Sequence, residues 1–214
     1  MDTASTLVLG TTNAGKLREL AELLEPLGIS CRSLAGLADA VDVEETGSSF
    51  AENAALKASQ QARALRSWVL AEDSGLCVDA LGGGPGIYSA RFAAAHGGGS
   101  GDERNNALLL DRLAAVPTTD RAAHYACHAA LADPHGTIAA TSQGICRGLI
   151  ATAAQGGGGF GYDPLFIVPE YHRTFGELSP AVKAVVSHRA RATRAIIPLL
   201  VRLLRPPSPP GGGR

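Results

Sequence analysis

The chain has 214 residues, 45% of them apolar, and a formal net charge of -1, enough for a sizeable core in one large domain or two small ones. From these totals no basic face for nucleic acid can be inferred, and the absence of a run of about 18 apolar residues argues against a membrane span. The four cysteines, Cys31, Cys77, Cys127 and Cys146, are widely spaced with no Cys-x-x-Cys pair, and are read as reduced thiols of a cytoplasmic protein.

In chain order, Met1 to Thr6 carries no basic region ahead of its short apolar stretch, so no secretory signal is read there. Leu7-Val8-Leu9 predicts a short strand. Gly10 to Lys16 turns into a helix whose Leu17, Leu20, Ala21 and Leu24 share one face, with Asn13 as N-cap and Pro26 and Gly28 closing it. Lys16 then stands in the first turn, where the helix dipole disfavours a cation. An anion between Lys16 and the free backbone N–H groups reconciles the two; an exposed lysine swinging clear is the plainer alternative. Gly10 and Gly15-Lys16 match the phosphate-loop spacing, but Leu17 stands where such a loop needs a hydroxyl for magnesium. Phosphate binding is retained; a P-loop kinase or ATPase is not.

Val41 to Gly47 predicts another short strand, running into the acidic pair Glu44-Glu45. Ser49 and Glu52 form a capping box for a helix from about Phe50 to Arg66, alanine-rich enough to pack closely on a sheet. Asn53 and Lys57 share one of its faces. Lys57 is placed either to pair with Glu44 or Glu45 or to meet a ligand phosphate. Val69-Leu70-Ala71 predicts a buried strand ending in Glu72-Asp73-Ser74-Gly75, two adjacent acids at a sheet mouth, where α/β proteins bind ligands. Acids held there imply a cation; a solvated turn after a core strand is the alternative.

Cys77 to Arg91 is a long, turn-rich excursion of the kind that carries function, and Asp102 to Ala115 reads as a surface helix. Ala122–Ala132 and Thr137–Arg147 predict a long antiparallel hairpin about a type I turn at Asp133-Pro134-His135-Gly136. His124 and His128 stand roughly 13 Å apart along that strand, too far for one metal ion, and are assigned to a solvated face. Glycines on both sides of Phe160 free its ring for base stacking beside Asp163, with a core aromatic in a glycine turn as the alternative. Ser187 caps a last helix running toward Leu204, with a kink or break at Pro198. His188 and Arg189 fall in its first turn, a second helix start with cations in the wrong sense for the dipole. Together with the two acidic pairs, they point to a polyanion neutralised by lysine, arginine and a divalent metal.

Six motifs occur in one order: Thr12-Asn13-Ala14-Gly15-Lys16; Glu44-Glu45-Thr46-Gly47 with Phe50, Glu52-Asn53-Ala54 and Lys57; Glu72-Asp73-Ser74-Gly75-Leu76; Gly83 to Arg91; Phe160-Gly161-Tyr162-Asp163-Pro164; and Ser187-His188-Arg189. As a set they resemble the inosine triphosphate pyrophosphatase family, over about Leu7 to Leu204. The resemblance implies an α/β fold with an elongated mixed β-sheet, flanking helices and two lobes around a central cleft. It implies hydrolysis of ITP, dITP and XTP to the monophosphate and pyrophosphate with Mg²⁺, in a cytoplasmic homodimer with no nucleic-acid or membrane partner. Residues 1–205 then form a single domain and 206–214 a disordered Pro/Gly tail.

Carried over by position, Thr11, Thr12, Asn13, Ala14, Gly15 and Lys16, with Lys57, bind the triphosphate. Asp73 is general base and metal ligand, and Glu45 a second acid for the metal. Ser74 contacts substrate. Phe160 stacks on the purine, with Gly161, Tyr162 and Asp163 in the same pocket. Lys183 reaches substrate, and His188 and Arg189 read the 6-oxo edge of the base or its surroundings, Arg189 being the candidate donor. Three departures from the family pattern stand out: Glu72 where many relatives carry Asp, Ser179-Pro180-Ala181-Val182 where acids are expected, and Arg173 in place of lysine. They leave open whether Glu44, Glu45 or Glu72 shares the metal with Asp73, and whether a helix forms before Lys183. The competing readings are a P-loop-like phosphohydrolase releasing one phosphate and a nucleotide-sensing module without turnover; a related activity on modified pyrimidine triphosphates is open to the same fold type.

Overall fold

The computed structural model describes residues 6–204; the tail expected to be disordered lies outside them. The strands are β1 (Leu7–Leu9), β2 (Cys31–Ser33), β3 (Trp68–Val78), β4 (Ala122–Ala132), β5 (Ile138–Ile150), β6 (Phe166–Val168) and β7 (Arg173–Thr174). The helices are α1 (Ala14–Leu24), α2 (Phe50–Leu65), α3 (Phe92–Ala95), α4 (Asp102–Arg112), α5 (Pro180–Val186) and α6 (His188–Leu204). One seven-stranded sheet runs in the order β2-β1-β3-β4-β5-β6-β7. β1 is parallel to both β2 and β3, and α1 and α2 supply the crossovers that parallel pairing requires. From β3 onward all pairing is antiparallel.

β3 is the pivot, and it is longer than its apolar run implies. The acids expected at its end lie inside it, because β4 goes on pairing past them, from Val69↔Ala132 to Val78↔Ala123. That ladder satisfies the backbone groups whatever the side chains are. On its other edge β3 pairs with β1 only at Trp68, Val69 and Leu70. The edge beyond Leu70 therefore faces the loop that leads from β1 into α1. The Gly10 N–H closes on the Leu70 carbonyl at 2.8 Å, and a Cβ on Gly10 would lie 2.8 Å from that of Ala71.

Three cores follow from this sheet. On one face Leu20 and Leu24 of α1 and Ile196, Leu200 and Leu204 of α6 cover Leu7, Leu9, Leu70 and Leu131. On the other, Ala54, Ala58 and Ala62 bring α2 down onto Val8, Val69, Ala71, Ala130 and Ala132, the close approach that the alanines predict. At the far end of the long strands Leu76, Val78, Tyr125 and Phe166 pack with Leu109 and Leu113. Two apolar lobes thus share β3, β4 and β5, with the charged segment of β3 between them.

The local signals are realised. Asn13 Oδ1 accepts from the Lys16 N–H at 3.0 Å, Ser187 Oγ accepts from the Ala190 N–H, and Asp133 Oδ1 accepts from the His135 and Thr137 N–H groups in the hairpin turn. Ser49 caps α2, but Glu52 reaches back to Ser48 rather than Ser49, at 2.7 Å. A short helix does precede and contain Lys183, with Ser179 as its cap and Pro180 in its first turn. The four thiols are free, and no helix of the described residues is long and apolar enough to cross a membrane.

Two expectations fail, and of the kink or break expected at Pro198 the break does not occur. Val41 to Gly47 forms no strand. Gln61 of α2 bonds both the N–H and the C=O of Val41, and Asn53 takes the Gly47 N–H, so side chains satisfy this backbone in place of a neighbouring strand. His128 and His124 are half-buried rather than solvated, since the start of α2 brings the Phe50 ring within 6.4 Å of His128 in a stacked pose. α6 is not broken at Pro198; apolar contacts on both sides of it, at Ile196 and Leu200, hold the helix together.

α6 touches β5 backbone to backbone at Gly144, where a Cβ would lie 2.2 Å from the His188 carbonyl and 2.4 Å from the Ala192 nitrogen. Neither backbone atom can yield. Gly144→Ala is expected to displace the start of α6 and lower stability by about 1–3 kcal/mol, measured by urea unfolding; an unchanged midpoint would show that α6 slides freely on β5.

Candidate active site

Alternation along β3 sends Glu72 and Ser74 to one face of the sheet and Asp73 to the other. The Asp73 face is closed by α2. Asn53 Nδ2 donates to Asp73 Oδ2 at 3.1 Å, and one turn on, Lys57 Nζ lies 3.3 Å from Asp73 Oδ1 and 2.7 Å from Glu45 Oε1. Arg91 holds the other Glu45 oxygen at 3.2 Å. Burial lifts the Asp73 pKa above the ordinary aspartate value; Lys57 opposes this, but the charge of Glu45 adds to it. Burial pushes Glu45 the same way, yet Lys57 and Arg91 outweigh it and Glu45 lies below its usual range. The shared ammonium therefore serves Glu45 more fully than Asp73, in line with its shorter contact.

On the opposite face, Glu72 accepts from Arg189 Nε at 2.8 Å, from the Cys127 thiol at 2.9 Å, and pairs with Lys16 Nζ at 3.0 Å. Burial alone would raise the Glu72 carboxyl, but Arg189 and Lys16 hold it well below the usual range. The Arg189 guanidinium also donates to Ser74 Oγ at 3.0 Å and to Glu19 of α1. Glu19 in turn pairs with Lys183 at 2.8 Å, and Lys183 with Asp163 at 2.5 Å. The Phe160 ring lies beneath this network, its centroid 4.7 Å from Lys183 Nζ and 5.6 Å from the Arg189 guanidinium carbon. Gly15 backs directly onto this ring: a Cβ there would lie 2.6 Å from it.

A cavity of about 110 Å³ opens here. It is lined by Asn13, Lys16, Ser74, Phe160, Gly161, Tyr162, Asp163, Lys183, His188 and Arg189, so the structure brings ten of the sequence-derived candidates to one place. His188 is stacked on Tyr125, with centroids 4.5 Å apart, and its Nδ1 is buried without a partner. Burial and the neighbouring Arg189 depress its pKa well below the ordinary value, so the imidazole is neutral. Thr11 is half-buried and Thr12 and Ala14 exposed, Thr11 Oγ1 accepting from the Asn13 N–H at 3.2 Å. Asp73, Glu45 and Lys57 stand apart, on the α2 face.

Lys16 has an anionic partner already, Glu72, so its place in the first turn of α1 is explained within the protein. The open question about the metal acids also narrows. Glu72 is engaged by three donors on the wrong face, and Glu44 is exposed, leaving Glu45 as the carboxylate that faces Asp73 across Lys57. Among the described residues no three acidic, histidine or cysteine side chains converge as a complete cage. Two hard oxygens do, and that donor set fits Mg²⁺, which keeps waters and takes few protein carboxylates when substrate phosphates complete its shell.

The sequence reading missed several contributors. Glu19 lies three residues after Lys16, one helical step along the same face, and ties Arg189 to Lys183. Asp102 and Asn106, four apart on α4, grip both sides of the Gly161 peptide, at 2.6 Å to its N–H and 3.1 Å from its C=O. Cys127 was readable only as a buried thiol.

The family model of the Ham1 family matches residues 7–199. The dITP/XTP pyrophosphatase of Rhodopirellula baltica is 54% identical over 199 residues, covering 93% of this chain and 94% of that protein. That of Geobacillus kaustophilus is 50% identical over 186 residues, 87% of this chain and 89% of the other. Among solved structures, a HAM1 protein from Coxiella burnetii superposes with a TM-score of 0.82 at 36% identity, over 92% of this chain and 99% of that one. A nucleoside-triphosphatase / dITP/XTP pyrophosphatase from Mycobacterium abscessus gives 0.70 at 39% identity, over 91% and 99%.

Two variants test the electrostatics without any substrate. Folding raises the Asp73 pKa, so its stabilising contribution is present at acid pH and is lost as pH rises through the folded-state value. At neutral pH Asp73→Asn removes a disfavoured charge, and its Tm is expected to match or exceed that of wild type, by up to roughly 5 °C. Arg189→Ala strands the buried Glu72 carboxylate and is expected to cost about 3–5 kcal/mol. A fall in Tm for Asp73→Asn, or a neutral Arg189→Ala, would contradict this charge assignment.

Proposed function

The chain belongs to the Ham1 family, and from that membership and this site we propose that it hydrolyses the non-standard purine nucleoside triphosphates ITP, dITP and XTP. The products are the nucleoside monophosphate and pyrophosphate. The observation that carries the reading is the arrangement of an aromatic-floored cavity on one face of β3, a carboxylate pair on the other, and lysines Lys16 and Lys57 beside them.

The base enters the cavity against Phe160, whose ring is set by the Asp163 carboxylate accepting its N–H at 2.9 Å and by Gly15 behind it. Tyr162 and Gly161 line the same space, and Lys183, held by Asp163 and Glu19, faces the ring. Ser74 meets the sugar side. The triphosphate runs over the loop of Thr11, Thr12 and Asn13, toward the first-turn N–H groups of Ala14 and Gly15, which have no intrahelical partner. Lys16 and Lys57 neutralise its oxygens. Glu45 and Asp73 would hold Mg²⁺, which would supply further neutralisation of the charge that develops at phosphorus. Asp73 orients the attacking water and takes its proton; its raised pKa suits a base that must accept one.

Selectivity for a 6-oxo purine rests on the buried polar groups at the back of the cavity. Arg189 spends its donors on Glu72, Glu19 and Ser74, but a guanidinium has five N–H groups, so two remain. The neutral His188 adds an unpaired ring nitrogen. Adenine presents its amino group where the 6-oxo oxygen belongs and leaves such groups unmatched, a mismatch that costs on the order of 10⁴-fold in rate. The chain works as a cytoplasmic homodimer. A P-loop-like phosphohydrolase is disfavoured by Leu17 after Lys16, where such a loop needs a hydroxyl for magnesium.

The test is a panel of ITP, dITP, XTP, ATP and GTP with Mg²⁺. The first three should turn over and ATP should be largely spared, with GTP, whose base is also a 6-oxo purine, reporting only on the 2-amino position; equal rates on ITP and ATP would refute the base reading. Asp73→Asn should lose on the order of 10²–10⁴-fold in kcat while still binding ITP. Arg189→Lys keeps a cation beside Glu72 and should narrow the ITP-to-ATP ratio in kcat/KM by about tenfold or more; an unchanged ratio would remove Arg189 from base recognition.

A further inference from the structure

Glu45 and Asp73 each have one oxygen held by a partner other than lysine. Arg91 Nη1 holds Glu45 Oε2 at 3.2 Å, and Asn53 Nδ2 holds Asp73 Oδ2 at 3.1 Å. The remaining oxygens, Glu45 Oε1 and Asp73 Oδ1, converge on a single group, the Lys57 ammonium, at 2.7 and 3.3 Å. Lys57 projects from the middle of α2, whose Ala54, Ala58 and Ala62 are packed tightly on the sheet, so the stem is anchored and only the side chain can retreat.

We propose that Lys57 is the resident cation of the Glu45–Asp73 seat and competes with the divalent metal for it. The inference rests on the proposed function, for it takes those two carboxylates as the metal ligands. An ammonium lodged between these two oxygens occupies the position a metal bridging them would take and repels it at a few ångströms, so metal binding there displaces Lys57. Its release into a half-buried pocket without an anion is costly. A bound triphosphate offers that anion, and Lys57 moves from carboxylates to phosphate as the metal takes its place. Metal and nucleotide therefore bind together: the protein alone holds the metal weakly, and the two cations change places only when a polyanion is present. Without nucleotide the same ammonium keeps two facing carboxylates from repelling one another.

The test measures Mn²⁺ binding by electron paramagnetic resonance in nucleotide-free protein, a readout independent of turnover. Lys57→Met is expected to bind Mn²⁺ about tenfold or more tightly than wild type, although it hydrolyses ITP more slowly. Lys16→Met removes a nearby positive charge that sits on Glu72 rather than in the seat, and should change Mn²⁺ affinity by less than about threefold. Glu45→Gln in the Lys57→Met background should abolish the gain. Equal or weaker Mn²⁺ binding in Lys57→Met, or the same gain in Lys16→Met, overturns the proposal. If Lys57→Met does not fold, Lys57→Gln takes its place. On wild type saturated with a non-hydrolysable nucleoside triphosphate analogue, the Lys57 side-chain NMR resonance must shift with added diamagnetic Mg²⁺ in step with metal saturation, and a stationary resonance refutes the exchange. Failure here with ITP turnover intact would overturn the competition alone; failure of turnover on every nucleotide would overturn the function beneath it.

Discussion

Neighbouring residues on a β-strand point to opposite faces of the sheet, and much of this molecule follows from applying that rule to Glu72 and Asp73. Two carboxylates adjacent in sequence cannot share a partner. Each is 5% exposed or less, and a buried charge without a counter-charge is untenable. The fold therefore builds a separate cationic environment on each side. α1 and α6 bring Lys16 and Arg189 to Glu72, and α2 brings Lys57 and Asn53 to Asp73. The strand that carries the acids is thereby the wall between a base cavity and a carboxylate seat.

The two sides are not equivalent. Glu72 is saturated, with a guanidinium, an ammonium and a thiol around it, and its pKa lies far below the ordinary value. It acts as a structural anchor that fixes Arg189, and through Arg189 and Glu19 it fixes Lys183 and the ceiling of the cavity. Asp73 has an amide and a share of one lysine, and its pKa lies above the ordinary value. A poorly neutralised carboxylate is unfavourable for stability and useful for accepting a proton, the usual division between an anchoring acid and a working one.

The signals that could be read in advance were those satisfied within a few residues. Asn13, Ser49 and Ser187 cap helices because their oxygens meet an N–H three positions on, and the Asp133 turn closes on itself. The alanine face of α2 announced close packing. What failed depended on partners distant in the chain. Val41 to Gly47 has the alternation of a strand, but pairing requires a free sheet edge, and Gln61 and Asn53 claimed its backbone instead. β3 continues through the acids because β4 lies opposite them, which no local pattern encodes. The candidates Asn13, Lys16, Phe160, Lys183, His188 and Arg189 do gather at one cavity, as the ordered motifs implied. Glu19 was legible in principle, one helical step from Lys16, but α1 was read for its apolar face alone. Asp102 and Asn106 grip Gly161 across the fold and left no trace in sequence spacing.

The central claim is that water attacks so as to split the α–β phosphoanhydride bond of a 6-oxo purine triphosphate. The most direct measurement is ³¹P NMR of ITP incubated with the protein and Mg²⁺. The account predicts that IMP and pyrophosphate appear in equal amounts, with no IDP at any time. IDP with orthophosphate would contradict it and would mean that the site removes a terminal phosphate.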